Sequence, residues 1–248
     1  MSKQHQNPRG WNDVADWYDG WVGKGGSDHH RQLALPALLE VLDLRPGISV
    51  LDVGAGSGVL APAVLEAEAH YTGIDVSPKL IAKARRYHGK QARFLVGDAR
   101  HLAKQVGDTR FDRCVFLLSI QDMDPLYDVI RSAADVLAEG GSLAILMTHP
   151  CFRIPRQSGW GFEEQRKIQY RRIDRYLTPL KIPMKQHSQG ATQSFHRPLS
   201  AYVNTLADCG LLVDRLNEIT TYQEGKTRAE KRANEEFPLF VALRALKR

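Results

Sequence analysis

The fold of this chain is indicated most strongly by the stretch Leu51-Asp52-Val53-Gly54-Ala55-Gly56-Ser57-Gly58. It follows an apolar run at 48–53, which predicts a buried strand, and it precedes a helical pattern at 61–69. Glycines at such a turn let the backbone approach a ligand closely, because no Cβ intervenes and positive φ is allowed. Dinucleotide-binding folds use a glycine turn as well, so this stretch alone leaves the ligand open.

Short apolar runs and helical patterns alternate on both sides of that turn, which indicates βαβ units and a parallel sheet. Strands are predicted at 48–53, 71–76, 92–96, 111–118, 142–148, 211–216 and 237–246. Helices are predicted at 61–69, 78–88, 126–137 and 199–209. Ser77 should cap the second helix, Gly140-Gly141 should end the third, and Gly210 should end the fourth.

The regular pattern stops after Thr148, and residues 149–198 combine prolines, glycines and many charges without a clear period. A long irregular stretch inside a domain is usually functional, so we expect a cap over a substrate pocket. The predicted organisation is a helical lid segment at 1–45, a binding core at 46–148, the cap at 149–198, and a helix with two strands at 199–248 that completes the core.

The composition limits the classes of protein to consider. No run of 18 apolar residues is present, the N-terminal residues lack the apolar core of a signal peptide, and the three cysteines are scattered. A cytoplasmic protein without membrane association is expected. The net charge of +6 is concentrated in a basic segment at 153–185, which is typical of a solvated surface but leaves an RNA-binding groove as an alternative.

Acidic residues lie at or just beyond the ends of the first three predicted strands. Asp52 stands two residues before Gly54, and Asp75 lies 21 residues beyond Gly54. A carboxylate at Asp75 can accept hydrogen bonds from both hydroxyls of a ribose, and Asp98 can accept one from an adenine amino group. The spacing G-x-G-x-G differs from the G-x-G-x-x-G of NAD-binding proteins, which argues against an NAD-dependent oxidoreductase.

Together these residues resemble the class I S-adenosylmethionine-dependent methyltransferases. The resemblance implies a doubly wound, Rossmann-like α/β fold whose seven-stranded, mostly parallel sheet has an antiparallel last strand; the 149–198 cap would be an insertion. The cofactor would be S-adenosylmethionine, released as S-adenosylhomocysteine, and no metal is expected. The cofactor-binding residues implied are Tyr18, Asp52, Gly54, Ala55, Gly56, Asp75, Val76, Asp98, Ala99 and Leu118.

Methyl transfer requires mainly that the acceptor be placed in line with the methyl group, so the catalytic candidates come from position. Tyr18 would close over the cofactor, or would only pack. Gln121 would orient the acceptor, and His149 would act as a base, or would only be hydrogen-bonded in a loop. The candidate acceptor pocket consists of Asp122, His149, Trp160, Phe162 and His196.

The sequence therefore predicts an enzyme that methylates an oxygen, nitrogen, sulfur or carbon atom of a small molecule. Three alternatives stay open: an RNA methyltransferase that uses the 153–185 segment, an NAD-dependent oxidoreductase, and a binding module without activity. The sequence does not indicate the acceptor or the oligomeric state.

Overall fold

A computed structural model describes residues 9–185 and 191–248 of the chain. Residues 1–8 of the predicted lid and 186–190 of the predicted cap lie outside the described residues. The strands, in chain order, are β1 (Ser49–Val53), β2 (His70–Asp75), β3 (Arg93–Val96), β4 (Phe111–Leu117), β5 (Leu137–Thr148), β6 (Ser158–Glu163), β7 (Ile168–Ile173), β8 (Leu180–Lys185), β9 (Ala191–His196), β10 (Leu211–Ile219) and β11 (Phe240–Lys247).

Seven of these strands form one sheet in the order β10-β11-β5-β4-β1-β2-β3. β11 is antiparallel to both of its neighbours, whereas β1 to β5 pair in parallel. This confirms the predicted seven-stranded sheet with an antiparallel last strand. The chain leaves β1 toward β2 and β3, and later returns on the other side of β1 as β4. Ligands of open α/β sheets bind at such a reversal, beside the carboxyl ends of the strands.

The α-helices are α1 (Arg9–Asp13), α2 (Ala15–Val22), α3 (Leu35–Leu42), α4 (Ala61–Glu66), α5 (Pro78–His88), α6 (Leu102–Val106), α7 (Leu126–Val136), α8 (Leu199–Asp208) and α9 (Arg228–Glu236). Successive strand residues point to opposite sides of the sheet, so both faces carry apolar side chains. The helices cover both of these faces. Leu51 packs in one core with residues of α6, α7 and α8, and Val50 packs in the other with residues of α3, α4 and α5. Each large side chain fully buried in this way contributes roughly 1.5–3 kcal/mol relative to exposure.

The predicted limits of helices and strands agree best with the structure where the local sequence signals are strong. α5 spans Pro78–His88 as predicted, and the Ser77 hydroxyl accepts a hydrogen bond from the backbone N–H of Leu80. The prediction that Gly140-Gly141 end a helix is wrong: α7 ends at Val136, and both glycines lie inside β5. α9 was not predicted, because it is highly charged and buries only Ala233 along its length.

The 149–198 segment is more regular than predicted. It forms two antiparallel hairpins, β6–β7 and β8–β9. The first packs near α9, whereas β9 lies beside α1 and the 120–122 turn that follows β4. No helix in the described part of the chain is long and apolar enough to cross a membrane.

Candidate active site

The glycine turn after β1 has the backbone conformation that its sequence predicts. Gly54, Gly56 and Gly58 all have positive φ, at 79°, 55° and 83°. The backbone N–H groups of Gly54 and Ala55 both donate to the carbonyl of Ile74, at 2.8 and 3.0 Å. A Cβ on Gly54 would lie 2.6 Å from the Cβ of Ser119. The turn is therefore clamped between β2 and the segment after β4, and it leaves no room for a side chain at Gly54.

Asp75, at the end of β2, holds this turn from the other side. Its two carboxylate oxygens accept hydrogen bonds from the backbone N–H groups of Gly56, at 2.9 Å, and Ser77, at 2.8 Å. Burial raises the pKa of Asp75, although these two bonds oppose the rise. The carboxylate thus joins the glycine turn to the start of α5.

Asp52 is buried at the end of β1 and is only partly hydrogen-bonded. Its Oδ2 accepts a hydrogen bond from the Tyr71 hydroxyl at 2.7 Å. Within the described residues its Oδ1 has no hydrogen-bond partner, although the atom is buried. Burial raises the pKa of Asp52 to about 7; the Tyr71 bond opposes the rise and the charge of Asp75 adds to it. A buried carboxylate oxygen without a donor fits a site that receives a hydrogen-bonding or cationic ligand.

Tyr18 comes from α2 and lies over the glycine turn. A Cβ on Gly56 would be 3.3 Å from its ring. Burial raises the pKa of its hydroxyl well above the usual range, and the carboxylates of Asp75, Asp52 and Asp122 add to that rise. Asp19 on the same helix is tied to α5 by an ion pair with Lys83 at 3.0 Å. The structure therefore brings Tyr18 to the predicted cofactor residues.

The residues predicted to surround an adenine meet at the same edge of the sheet. Asp75 pairs with Val96 across β2 and β3, so Val76 and the Asp98-Ala99 pair follow neighbouring strand ends. Asp98 accepts hydrogen bonds from the backbone N–H of Arg100 at 2.9 Å and from its guanidinium Nε at 3.0 Å. Burial would raise the pKa of Asp98, but the bonds and charge of Arg100 outweigh it and lower that pKa.

The end of β4 forms a strained turn beside the glycines. Leu118 has a φ of +52°, which is unusual for a residue with a side chain, and its N–H donates to the carbonyl of Leu146 at 2.7 Å. The Gln121 amide donates to the Leu118 carbonyl at 2.6 Å. Gln121 therefore holds the turn, and its side-chain oxygen is buried without a hydrogen-bond partner among the described residues.

Asp122 follows in the same turn and is partly buried. Burial raises its pKa to about 7, although a hydrogen bond with the Ser194 side chain opposes the rise. Ser194 belongs to β9, so the second hairpin closes onto this carboxylate. Behind it, Arg197 donates to the carbonyl of Met123 at 2.8 Å and to Asp124 at 2.6 Å. Sequence reasoning missed Ser194 and Arg197, because no local pattern shows which turn β9 will meet.

The two candidate histidines are both held by the protein. His149 is 1% exposed; its Nδ1 accepts from the backbone N–H of Cys151 at 3.2 Å, and its Nε2 therefore donates to Glu218 at 2.8 Å. His196 is bonded through Nε2 to the carbonyl of Tyr176 at 2.7 Å. Burial lowers the pKa of both rings. These bonds favour a structural role for each histidine.

Trp160 and Phe162 lie on β6, away from the 120–122 turn that β9 meets. Trp160 packs against Phe237, with 5.5 Å between ring centroids, and Phe162 is 49% exposed. Neither side chain is brought to Asp122 by these contacts. Across residues 9–185 and 191–248, no group of three or more His, Cys, Asp or Glu side chains is arranged to hold a metal ion.

Comparison with known proteins gives matches to the central part of the chain. The family described as "Methyltransferase domain" matches residues 50–141. A demethylmenaquinone methyltransferase of Tropheryma whipplei is 31% identical over 119 residues, which are 46% of this chain and 48% of the relative. A ubiquinone biosynthesis O-methyltransferase of Xanthomonas campestris is 36% identical over 102 residues, 40% of this chain and 42% of the relative. The chain thus spans about half the length of these curated relatives.

Solved structures extend the likeness to most of the fold. An S-adenosylmethionine-dependent methyltransferase from Mesorhizobium loti superposes with a TM-score of 0.71 at 25% identity, and the alignment covers 86% of this chain and 96% of that one. The similarity therefore includes the sheet and extends beyond the segment that the family pattern matches.

Proposed function

We propose, from the premise that this chain belongs to the class I S-adenosylmethionine-dependent methyltransferases, that it transfers a methyl group from S-adenosylmethionine to a small molecule. The observation that carries the proposal is the glycine turn at the carboxyl end of β1. Gly54 and Gly56 have positive φ there, and buried Asp52 and Asp75 lie on either side of them.

The residues present fit this cofactor. The unpartnered Oδ1 of Asp52 suits an ammonium group, since a buried carboxylate is stabilised by a nearby positive charge. The backbone of Gly54, Ala55 and Gly56 would lie against the amino-acid part of the cofactor. Asp75 would bind the ribose; Val76, Asp98 and Ala99 would border the adenine, and Leu118 would lie near the sulfur.

Once bound, the cofactor supplies an electrophilic methyl group on a positively charged sulfur. Tyr18 would cover the glycine turn and exclude water, since its ring already lies against Gly56. Asp122 would accept a hydrogen bond from an O–H or N–H group of the acceptor. With a pKa of about 7, it is partly ionised at neutral pH and can take up a proton from such a group. Gln121 would keep this turn in place.

A small acceptor is favoured over RNA. The two curated relatives described above have names that refer to demethylmenaquinone and to ubiquinone biosynthesis, and quinones are small molecules. A further relative, 42% identical over 77 residues, is named for ribosomal protein L11, so a protein acceptor is an outcome that the methyl-transfer assay also covers. In the basic segment, Arg166 and Arg172 pair with Glu163 and Asp174, which reduces the positive field available to a phosphate backbone.

Calorimetric titration of the purified protein tests the proposal. S-adenosylmethionine and S-adenosylhomocysteine should bind with micromolar dissociation constants, whereas NAD and NADP should not bind. Transfer of a labelled methyl group to candidate phenols, quinols and amines would then identify the acceptor. Binding of a nicotinamide nucleotide alone, or of none of these compounds, would refute the assignment.

A further inference from the structure

Two arginines at the first hairpin, one before β6 and one within β7, differ from the other half-buried arginines in the described part of the chain. Arg100, Arg113 and Arg197 each pair with an aspartate. Arg153 and Arg171 are also partly buried, but neither forms an ion pair within the described residues. Burying a positive charge without a counter-charge is costly, so a pair of such residues requires an explanation.

The two side chains converge on one aromatic ring. The guanidinium carbons of Arg171 and Arg153 lie 5.1 and 5.6 Å from the centroid of the Trp160 ring. Cation–π attraction offsets part of the cost of burial. Burial and, to a smaller extent, the charge of Arg171 together lower the pKa of Arg153 to about 10. The two guanidinium groups are therefore close enough to repel each other.

Their hydrogen-bonding capacity is largely unused. Arg171 donates to the carbonyl of Phe152 at 2.7 Å and to the Ser158 hydroxyl at 3.0 Å. The Nε of Arg153 is buried and has no hydrogen-bond partner in the described part of the chain. A guanidinium offers five N–H donors in a planar arrangement that matches the oxygens of a carboxylate or phosphate. The pair thus has the donors and the charge of an anion site.

A row of aromatic rings connects this pair to the carboxyl edge of the sheet. His149, which follows β5, lies 4.9 Å from Phe152, and Phe152 lies 5.7 Å from Phe237. Phe237 in turn packs on Trp160, which is 39% exposed. Trp160 is the exposed ring of this row, so an apolar ligand body would contact Trp160 while its anionic end reaches the arginines.

We propose that Arg153 and Arg171 bind the carboxylate or phosphate group of a small molecule whose apolar part packs on Trp160. If the proposed methyl transfer holds, this molecule is the acceptor, which would make the substrate an anionic compound. The acceptor assignment rests on the proposed function, whereas the anion site itself does not.

Binding of small aromatic anions tests the site directly. Benzoate and phenyl phosphate would be titrated by calorimetry, with benzamide as the neutral comparison and with Trp160 indole NMR signals reporting the position. At least one anion should bind saturably and shift the Trp160 signal, and benzamide should bind at least about tenfold more weakly, because charge-assisted bonds are lost. The two anions also distinguish a carboxylate from a phosphate preference.

Variants of the hairpin give the matched control. Arg153→Gln and Arg171→Gln should each weaken anion binding about tenfold. Arg172→Gln removes the same charge from the opposite face of β7, where Arg172 pairs with Asp174, and should change it less than twofold. The buried Nε of Arg153 has no hydrogen-bond partner in the described fold, so Arg153→Gln should fold normally, which thermal unfolding would check.

Two outcomes would overturn the proposal: no saturable binding of either anion, or equal weakening by Arg172→Gln. Titration of S-adenosylmethionine into the same proteins separates the two hypotheses. If the cofactor binds and the anions do not, only the anion site is refuted. If the anions bind and the cofactor does not, only the proposed function is refuted.

Discussion

At the scale of single residues, burial determines what the carboxylates of this protein can do. Asp52 and Asp112 lie near the end of β1 and near the start of β4, yet their pKa values move in opposite directions. Burial raises the pKa of Asp52 to about 7. Hydrogen bonds from the backbone and hydroxyl of Ser49 lower the pKa of Asp112. The same side chain is therefore destabilised as an anion at one position and stabilised at the other.

Replacement of Asp52 by Asn should make the stability of the free protein less sensitive to pH. The folded pKa of Asp52 lies above its ordinary value of 3.8, so ionisation destabilises the fold progressively from about pH 4 to pH 7 and remains costly above that. We expect the unfolding free energy of Asp52→Asn, relative to the natural protein, to rise by about 2 to 3 kcal/mol between pH 5 and pH 8. Urea unfolding at the two pH values measures it.

Asp112→Asn provides the control for that measurement. Asp112 has a lowered pKa, so it is ionised at both pH 5 and pH 8 in the folded and the unfolded chain. Its replacement should change stability by the same amount at the two values. An Asp52→Asn difference that is equally independent of pH would contradict the raised pKa.

At the scale of structural elements, the glycine turn shows why position matters more than residue type. Gly54 and Gly107 both have positive φ, at 79° and 63°. A Cβ on Gly54 would overlap Ser119, whereas one on Gly107 would meet nothing within 4 Å. Of these two glycines, Gly54 alone combines a required backbone conformation with a required absence of a side chain.

We predict that Gly54→Ala is more damaging than Gly107→Ala. The backbone strain should cost about 1–2 kcal/mol in both variants, and the overlap with Ser119 should add about 1–3 kcal/mol in the first. Displacement of the turn should also weaken S-adenosylmethionine binding at least about tenfold in Gly54→Ala and leave it unchanged in Gly107→Ala. Denaturant unfolding and calorimetry measure both effects. Equal losses in the two variants would show that the packing against Ser119 is unimportant.

At the scale of the whole molecule, the fold gathers acids from distant parts of the chain around Tyr18. Asp52 and Asp75 lie at the carboxyl ends of β1 and β2, Asp122 follows β4, and all three influence the pKa of Tyr18. β1 lies between β2 and β4, so their carboxyl ends are adjacent although the sequence separates them. Burial raises the pKa of each acid, which suits a site that receives a positively charged ligand.

Cofactor binding should consequently strengthen as the pH rises. Asp52 and Asp122 are largely protonated below their pKa of about 7, and a cationic ligand favours the ionised form, so binding should release protons. We expect the dissociation constant of S-adenosylmethionine to fall roughly tenfold between pH 5.5 and pH 7.5. At a fixed concentration of S-adenosylmethionine, the increase in melting temperature that it causes should therefore be larger at pH 7.5 than at pH 5.5. In Asp52→Asn the dissociation constant should depend less on pH. If its pH dependence is the same as in the natural protein, Asp52 is not the partner of the ammonium group.

The sequence by itself determined the sheet and the cofactor edge. The apolar runs, the glycine turn and Ser77 are local signals, because strand burial, positive φ and helix capping each depend on a few consecutive residues. The seven strands and α5 follow from such signals. The glycine turn, Asp52 and Asp75 could be placed for the same reason. Their contacts with the cofactor stay a prediction.

Only the tertiary structure decided where the two hairpins lie and which residues meet at the proposed acceptor side of the site. No residue of β6 or β7 is fully buried, so the first hairpin carries little local signal of a packed strand. The positions of the two hairpins depend on contacts between residues far apart in sequence, such as Ser194 with Asp122 and His149 with Glu218. Those contacts determine whether a side chain is buried, paired or free to meet a ligand, and no short stretch of sequence contains that information.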